Sequence, residues 1–338
     1  MGHHGQATAA RIGLVESLEG TWQATRNGPA CDSTVPEPEI TPMRTDSLRQ
    51  ELARRPLLGD GGTGTQLQSM GLAPGACGEQ WNLDHPDRVR ELHRRYLAAG
   101  SDLLTTNTFG GTTTVLAGHG LAAQAHTINV AAARLAREIA GEQAWVLGDI
   151  GPFGGLLEPL GDTLPETATE AFRQQAAALL EGGADVILVE TMSDPAEMEL
   201  AVRAARAAGA ATIIATYAFQ KSAVGFRTMM GTTAAECVAR ALAAGADIVG
   251  ANCGTELSLE DYEKLTAELV TAAQGAPVIV QPNAGSPVLR DGKICYAESA
   301  AQFATAAPRL LAAGARLVGG CCGSTPEHIA AMRPLVKG

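Results

Sequence analysis

A (β/α)8 barrel is the fold this sequence predicts, and three observations predict it. From residue 56 onward, eight short β-rich runs alternate with long alanine-rich stretches. The stretches end on a repeated join, in which a glycine stops a helix and an extended run follows. Several of them begin with a polar cap beside a proline, the usual mark of a helix start.

The elements follow in order. Residues 1–44 mix polar residues with Pro36, Pro38 and Pro42 and hold no sustained period. They predict a loosely ordered N-terminal extension with one short helix around 11–19. Met43 is the expected physiological start, to be settled by mass spectrometry of the native protein. Residues 45–338 are expected to form the barrel domain. Its strands are predicted within PLLGDGG (56–62), DLLTTNTF (102–109), WVLGDIG (145–151) and DVILVETM (185–192), then TIIATYAF (212–219), DIVGANCG (247–254), PVIVQPNAG (277–285) and RLVGGCCG (316–323). Each opens with a nearly continuous apolar run, as parallel strands buried on both faces require. Helix ends fall at AAGSD (98–102), EGGAD (181–185), AAGAD (243–247) and AAGAR (312–316). Helix starts fall at Asp84-His85-Pro86, Ser193-Asp194-Pro195 and Ser324-Thr325-Pro326. A doubly wound nucleotide-binding sheet is the alternative. Its fingerprint is missing, because GDGGTG (59–64) follows a strand but is not G-x-G-x-x-G.

Composition narrows the function. The 338 residues, 46% hydrophobic and 18% charged, suffice for one large barrel core plus a short extension. A net charge of −11 with no dense Lys/Arg block argues against nucleic acid. Seven unevenly spaced cysteines do not read as a disulfide framework, so a reduced, cytoplasmic compartment is expected. No apolar stretch approaches a membrane span, and no basic-then-apolar leader with a cleavage site opens the chain.

In such a barrel, chemistry gathers at the carboxyl ends of the strands. Those ends hold Asp60-Gly61-Gly62-Thr63, Thr106-Asn107-Thr108, Asp149, Glu190-Thr191, Asn252-Cys253, Asn283 and Cys321-Cys322. Loop capping accounts for threonine and asparagine there. It accounts less well for three thiols and three carboxylates, which are costly to bury without partners. Cys253 in GANCG (250–254) and Cys321 and Cys322 in GGCCG (319–323) suggest three thiolate ligands on a zinc with one open position. The plainer reading is that free cysteines are small core hydrophobes. Neighbouring residues on a strand face opposite ways, so Cys321 and Cys322 can share a metal only if the backbone leaves strand geometry. Gly319, Gly320 and Gly323 permit that.

Together, GDGGTGTQLQSMGL (59–72), NTFGGTT (107–113), GDIGP (148–152), VETMSD (189–194), GANCG (250–254), PNAGSP (282–287) and GGCCGSTPEHI (319–329) resemble the homocysteine S-methyltransferase family over about residues 56–336. The resemblance implies zinc-dependent transfer of a methyl group to the thiol of homocysteine, forming methionine. It implies Zn2+ on Cys253, Cys321 and Cys322, with Asn283 as fourth ligand when substrate is absent. It implies Asp60 and Glu190 on the substrate ammonium, and backbone amides near Gly61 and Gly62 on its carboxylate. Asn107 completes the expected substrate set. Thr191 stands where some betaine-dependent relatives carry a liganding tyrosine, so that version is excluded.

The expected donor is betaine or a similar small cation. EQWN (79–82), VETMSDPAE (189–197) and TMMG (228–231) look most like the bacterial betaine type. Trp81, Phe109, Phe153, Tyr217 and Phe219 lie near strand ends and are equally candidates for a cation cage or for core packing. S-methylmethionine or S-adenosylmethionine is one alternative. Methylcobalamin is another; it would need a separate corrinoid protein, and an exposed apolar rim would favour it. A non-catalytic, zinc-stabilised ligand-binding barrel is the alternative from another class. A homo-oligomer is compatible with the sequence, and another small thiol or selenol remains open as acceptor. His85, His93, His119, His126 and His328 read as helix or loop residues, and Glu158 and Asp162 as a solvated connector or a lid.

Overall fold

A computed structural model of the chain describes residues 47–290 and 293–338. The expected extension over 1–44, its short helix and the Met43 start lie outside the described residues. Within them the strands run β1 (Leu57–Leu58), β2 (Leu103–Thr105), β3 (Trp145–Ile150), β4 (Val186–Met192), β5 (Ile213–Tyr217), β6 (Gln220–Ser222), β7 (Gly225–Arg227), β8 (Ile248–Asn252), β9 (Val278–Gln281), β10 (Val288–Arg290), β11 (Lys293–Cys295) and β12 (Leu317–Val318). Eight of these, each inside a predicted run, form one parallel sheet in the order β1, β12, β9, β8, β5, β4, β3, β2. β6 with β7, and β10 with β11, are antiparallel hairpins in the loops after β5 and β9. Three-residue strands carry too little alternation to be read from sequence.

The two ends of the sheet order meet through Asp102. Its N–H donates to the Leu58 carbonyl at 2.7 Å, and its carboxylate accepts from the Leu58 N–H at 2.9 Å. The sheet is therefore a nearly closed barrel with helices between its strands, the predicted (β/α)8 architecture. The predicted punctuation holds as well. The helix Pro86–Ala99 starts on its proline and stops at Gly100, whose φ of 106° lies in the left-handed region. Pro195 and Pro326 open their helices in the same way.

Period-two alternation builds the interior in layers. Leu57, Leu103, Leu147, Leu188, Ile214, Ile248, Ile279 and Leu317 form one buried cluster that draws on every barrel strand and also takes in Trp145 and Val186. Leu48 and Leu52 of the helix Leu48–Arg54 pack onto it. Two residues further along each strand, on the same inward face, stand Thr105, Asp149, Glu190, Thr216 and Gln281, with Gly59, Gly250 and Gly319 on the remaining three. An apolar plug thus gives way in one step to a polar floor. That step positions the site. Among the described residues, no helix is long and apolar enough to cross a membrane.

Candidate active site

The three thiols converge. β8 ends at Asn252, and Cys253 follows with a φ of 49°, uncommon for a residue with a side chain. β12 ends at Val318, so Cys321 and Cys322 lie in a turn beyond the strand and its alternation does not govern them. The turn is held from several sides. Cys321 N–H donates to the Pro282 carbonyl at 2.8 Å, and Ala284 N–H donates to the Cys322 carbonyl at 2.9 Å. Ser324 Oγ donates to the Cys321 carbonyl at 2.7 Å. Gly320 has no room for a side chain, because a Cβ would lie 2.3 Å from Ser324 Oγ. The three sulfurs lie within 4.8 Å of one another, with Cys253 Sγ and Cys322 Sγ 3.5 Å apart. Tetrahedral zinc–sulfur bonds place sulfurs about 3.8 Å apart, so the trio fits that ion. Its electrostatics fit too. Hydrogen bonds from Cys253 and Cys321 hold Cys322 as the thiolate, at about 3, while the same contacts push Cys321 well up. A divalent ion among them would let all three ionise.

The carboxylates share the same cavity, of about 440 Å³. Asp60, 2% exposed, accepts from Thr105 N–H at 2.6 Å and Thr105 Oγ at 2.8 Å; burial raises it to about 6 against those bonds. Glu190 accepts from Asn252 Nδ2 at 2.8 Å and is raised to about 8 by burial, then by the charges of Cys322 and Asp60. Asp149 is raised well above the carboxylate range by burial, then by Glu190, Asp60 and Glu79. Asp60, Glu79, Asp149 and Glu190 all line the cavity, and no Lys, Arg or His of the described residues does. The mouth is therefore built for cations.

The other expected residues divide. Gly61 and Gly62 line the cavity, but the Gly62 N–H already donates to Ser324 Oγ at 3.1 Å. Asn107 also lines it, with its Nδ2 donating to the Gly78 carbonyl at 2.7 Å. Asn283 Nδ2 donates to the Gly254 carbonyl at 3.1 Å, and its buried Oδ1 has no hydrogen-bond partner. Trp81, Phe153, Tyr217 and Phe219 are buried in the outer core and do not reach the cavity; of the five aromatics, Phe109 alone lines it. Glu158 and Asp162 are exposed and stand outside it.

Sequence reasoning assigned no role to several residues that organise the site. Asn252 Oδ1 accepts from Thr191 N–H at 3.0 Å and Thr216 Oγ at 2.8 Å, while its Nδ2 donates to Glu190 and to Thr191 Oγ at 2.7 Å. It joins β4, β5 and β8 and orients Glu190. Its place directly before Cys253 was the one available signal. Tyr296, just past the second hairpin, also lines the cavity. Burial, then the cysteine charges, push its phenol up to about 12.

Beneath the loop after β3, Glu197 is 6% exposed and its Oε1 accepts from Phe153 N–H at 2.8 Å. Burial raises it from 4.5 to about 7, partly offset by that bond, with the Asp194 charge adding a further rise. The folded state therefore holds a proton that the unfolded state has released between those values. Stability falls as pH rises through that window, and the cost is complete above about 7. Glu197→Gln keeps the carbonyl acceptor and removes the charge. In urea titrations it is expected to gain about 1–3 kcal/mol on the wild type between pH 5 and pH 8. A difference that does not change with pH would contradict this.

Three thiols that could hold a metal ion and four carboxylates stand together at the carboxyl-end mouth of this (β/α)8 barrel, the arrangement of a candidate enzyme site. Comparisons with known proteins agree with that class and sharpen it. The sequence profile described as homocysteine S-methyltransferase matches residues 57–336, and the chain belongs to that family of methyltransferases. Methionine synthase of Mycobacterium leprae is 34% identical over 299 residues, covering 83% of this chain and 24% of that protein. Methionine synthase of Mycobacterium tuberculosis is 33% identical over 299 residues, covering 83% and 25%. The chain thus spans about a quarter of the length of these curated relatives. The metallated crystal structure of the homocysteine methyltransferase MmuM from Escherichia coli superposes with a TM-score of 0.71 at 26% identity, covering 85% of this chain and 99% of that one. Its oxidized form gives 0.67 at 27% identity, covering 82% and 95%.

Proposed function

We propose that this chain moves a methyl group from a small cationic donor to the thiol of homocysteine, giving methionine, with Zn2+ held by Cys253, Cys321 and Cys322. The observation that carries this reading is the meeting of three sulfurs beside a carboxylate-lined cavity. Bound there, zinc lowers the pKa of the acceptor thiol so that it reacts as thiolate, the nucleophilic form. The chain's own residues supply position. Glu190, with Asp60 beside it, faces the substrate ammonium; the Gly61–Gly62 turn faces its carboxylate; Asn107 lines the same mouth; Asn283 Oδ1 is the candidate fourth ligand before substrate arrives. The thiolate's electron pair forms a carbon–sulfur bond to the donor methyl. The donor's bond to that methyl breaks, its pair stays on the donor, and the donor leaves neutral at that centre. No general base is needed.

The carboxylate-lined cavity supports betaine or a related onium donor, with the aromatic residues Phe109 and Tyr296 in its lining. One observation favours a methylcobalamin donor on a separate protein instead. Leu156, Leu160, Val224, Met229, Leu289 and Ile294 are exposed on the loops after β3, β5 and β9, around the mouth. A donor panel on the purified protein decides between them. Methionine formation with a small onium donor, abolished by chelation while the melting transition survives, is the expected result. Turnover with a methyl-corrinoid protein alone would transfer the reading to the second donor. Turnover unaffected by thorough chelation would remove zinc from it, and no methylated thiol with any donor would leave a binding module.

A further inference from the structure

We propose that Asn252 is a positioning residue for the metal-binding thiols: its single amide closes a bulge at the end of β4 and, with its nitrogen, holds Cys321 in place. The proposal rests on the reading of the three thiols as metal ligands.

β4 and β5 lose register where the site begins. Val189 pairs with Ala215 and Met192 with Tyr217, so β4 spends two residues, Glu190 and Thr191, opposite Thr216 alone. An extra residue of this kind bends the strand, re-aims a side chain and leaves backbone groups outside the ladder. The bulge also carries strain. Thr191 has a φ of 62°, a left-handed conformation that a β-branched residue rarely adopts. Such a conformation persists only where the surroundings hold it. Asn252 supplies the hold. It is fully buried at the end of β8, and its Oδ1 accepts from the Thr191 N–H at 3.0 Å and from Thr216 Oγ at 2.8 Å. One oxygen therefore spans both sides of the bulge.

That oxygen also fixes where the nitrogen points. A backbone N–H can only donate, so the amide cannot be turned over. Nδ2 is left facing Glu190 Oε2 at 2.8 Å, Thr191 Oγ at 2.7 Å and Cys321 Sγ at 3.7 Å. Cys321 belongs to the turn beyond β12, and β12 is not a neighbour of β8 in the sheet. The contact to its sulfur thus ties the bulge to a thiol from a separate strand, while the residue after Asn252 is Cys253, a second thiol of the trio. Groups that hydrogen-bond the ligands of a metal set their orientation and their charge. A donated N–H is strongest on an ionised acceptor, so this contact favours Cys321 as a thiolate on the metal.

The experiment reads two quantities: zinc affinity, by competition with a chromogenic chelator, and the thiolate-to-metal charge-transfer bands of protein loaded with Co2+. Both are measured on wild type, Asn252→Ala, Thr216→Val and the double variant, with melting of the metal-free proteins alongside. Asn252→Ala is expected to weaken zinc binding about 10–100-fold and to shift the Co2+ bands. Thr216→Val keeps the side chain close to its size and removes one of the two bonds that hold Asn252 Oδ1. It is expected to weaken zinc binding about 2–10-fold by itself and to add nothing in the Asn252→Ala background. A lower melting temperature with zinc affinity and Co2+ bands unchanged would make Asn252 a residue of the fold alone. Fully additive losses in the double variant would also overturn the proposal. Should Asn252→Ala fail to fold, Thr216→Val decides, and unchanged affinity and bands in it would count against the idea just as firmly. Failure of the metal reading looks different: wild type itself would take up neither Zn2+ nor Co2+.

Discussion

Cys322→Ala is expected to lose bound zinc and turnover together, while its circular dichroism and melting curve stay close to wild type. The backbone of the turn does not depend on this side chain, because it is the Cys322 carbonyl that Ala284 N–H engages. The sulfur is another matter. It lies 3.5 Å from Cys253 Sγ, and its neighbours' hydrogen bonds make it the most acidic thiol of the three. Without it, two thiolates remain for an ion that takes four ligands. Zinc content by elemental analysis should fall from near one per chain to a small fraction, and kcat by about 10³-fold or more. Cys237→Ala is the control. Cys237 is fully buried on the helix Ala234–Ala244, within the outer core, and its loss should leave zinc content intact. Full zinc content and turnover in Cys322→Ala would end the ligand assignment.

Gly250→Ala is expected to damage the barrel itself. Gly250 pairs in register with Ile279 of the neighbouring strand. A Cβ there would lie 1.9 Å from the Ile279 carbonyl oxygen and 2.6 Å from its Cγ2. The obstacle is backbone in a closed sheet, so relief requires β8 and β9 to separate. A cost of about 3 kcal/mol or more follows, which lowers Tm by roughly 5 °C or more in a chain this long. The strain also reaches the site, since Asn252 and Cys253 lie two and three residues further along the same strand and beyond it. Gly64→Ala provides the contrast, because a Cβ at Gly64 meets no heavy atom within 4 Å and alanine favours its helix. A melting point for Gly250→Ala within a degree or two of wild type would contradict the packing described.

The glycine of GANCG shows how sequence and structure divide the work. As a motif letter, Gly250 marks a family; in the barrel it is the contact that lets two strands approach beneath Asn252. The aromatic side chains show the reverse. Trp81, Phe153, Tyr217 and Phe219 sit near strand ends and read equally as cage or core; burial in the outer core takes them out of the cavity. Tyr296, which no strand pattern singled out, reaches it instead because a hairpin carries it there. Asp102 and Asp60 read as an ordinary join and an expected ligand, yet both fasten β1 to β2. Nothing local in the chain announces a partner more than forty residues away.

What the chain alone determined is everything that depends on short-range periodicity. Apolar runs and glycine–proline punctuation set eight strands and the helices between them. Alternation by two then turns Asp149, Glu190 and Gln281 onto one inward floor once the strand bounds are known. Only the tertiary structure decided which of those inward groups satisfy one another and which are left with an empty valence. Those pairings depend on register across strands, on a left-handed turn at Cys253, and on a bend after Val318, all set by contacts between residues remote in sequence. Hydrogen bonds and ionisation are decided at ångström distances, and a one-dimensional pattern fixes direction without fixing distance.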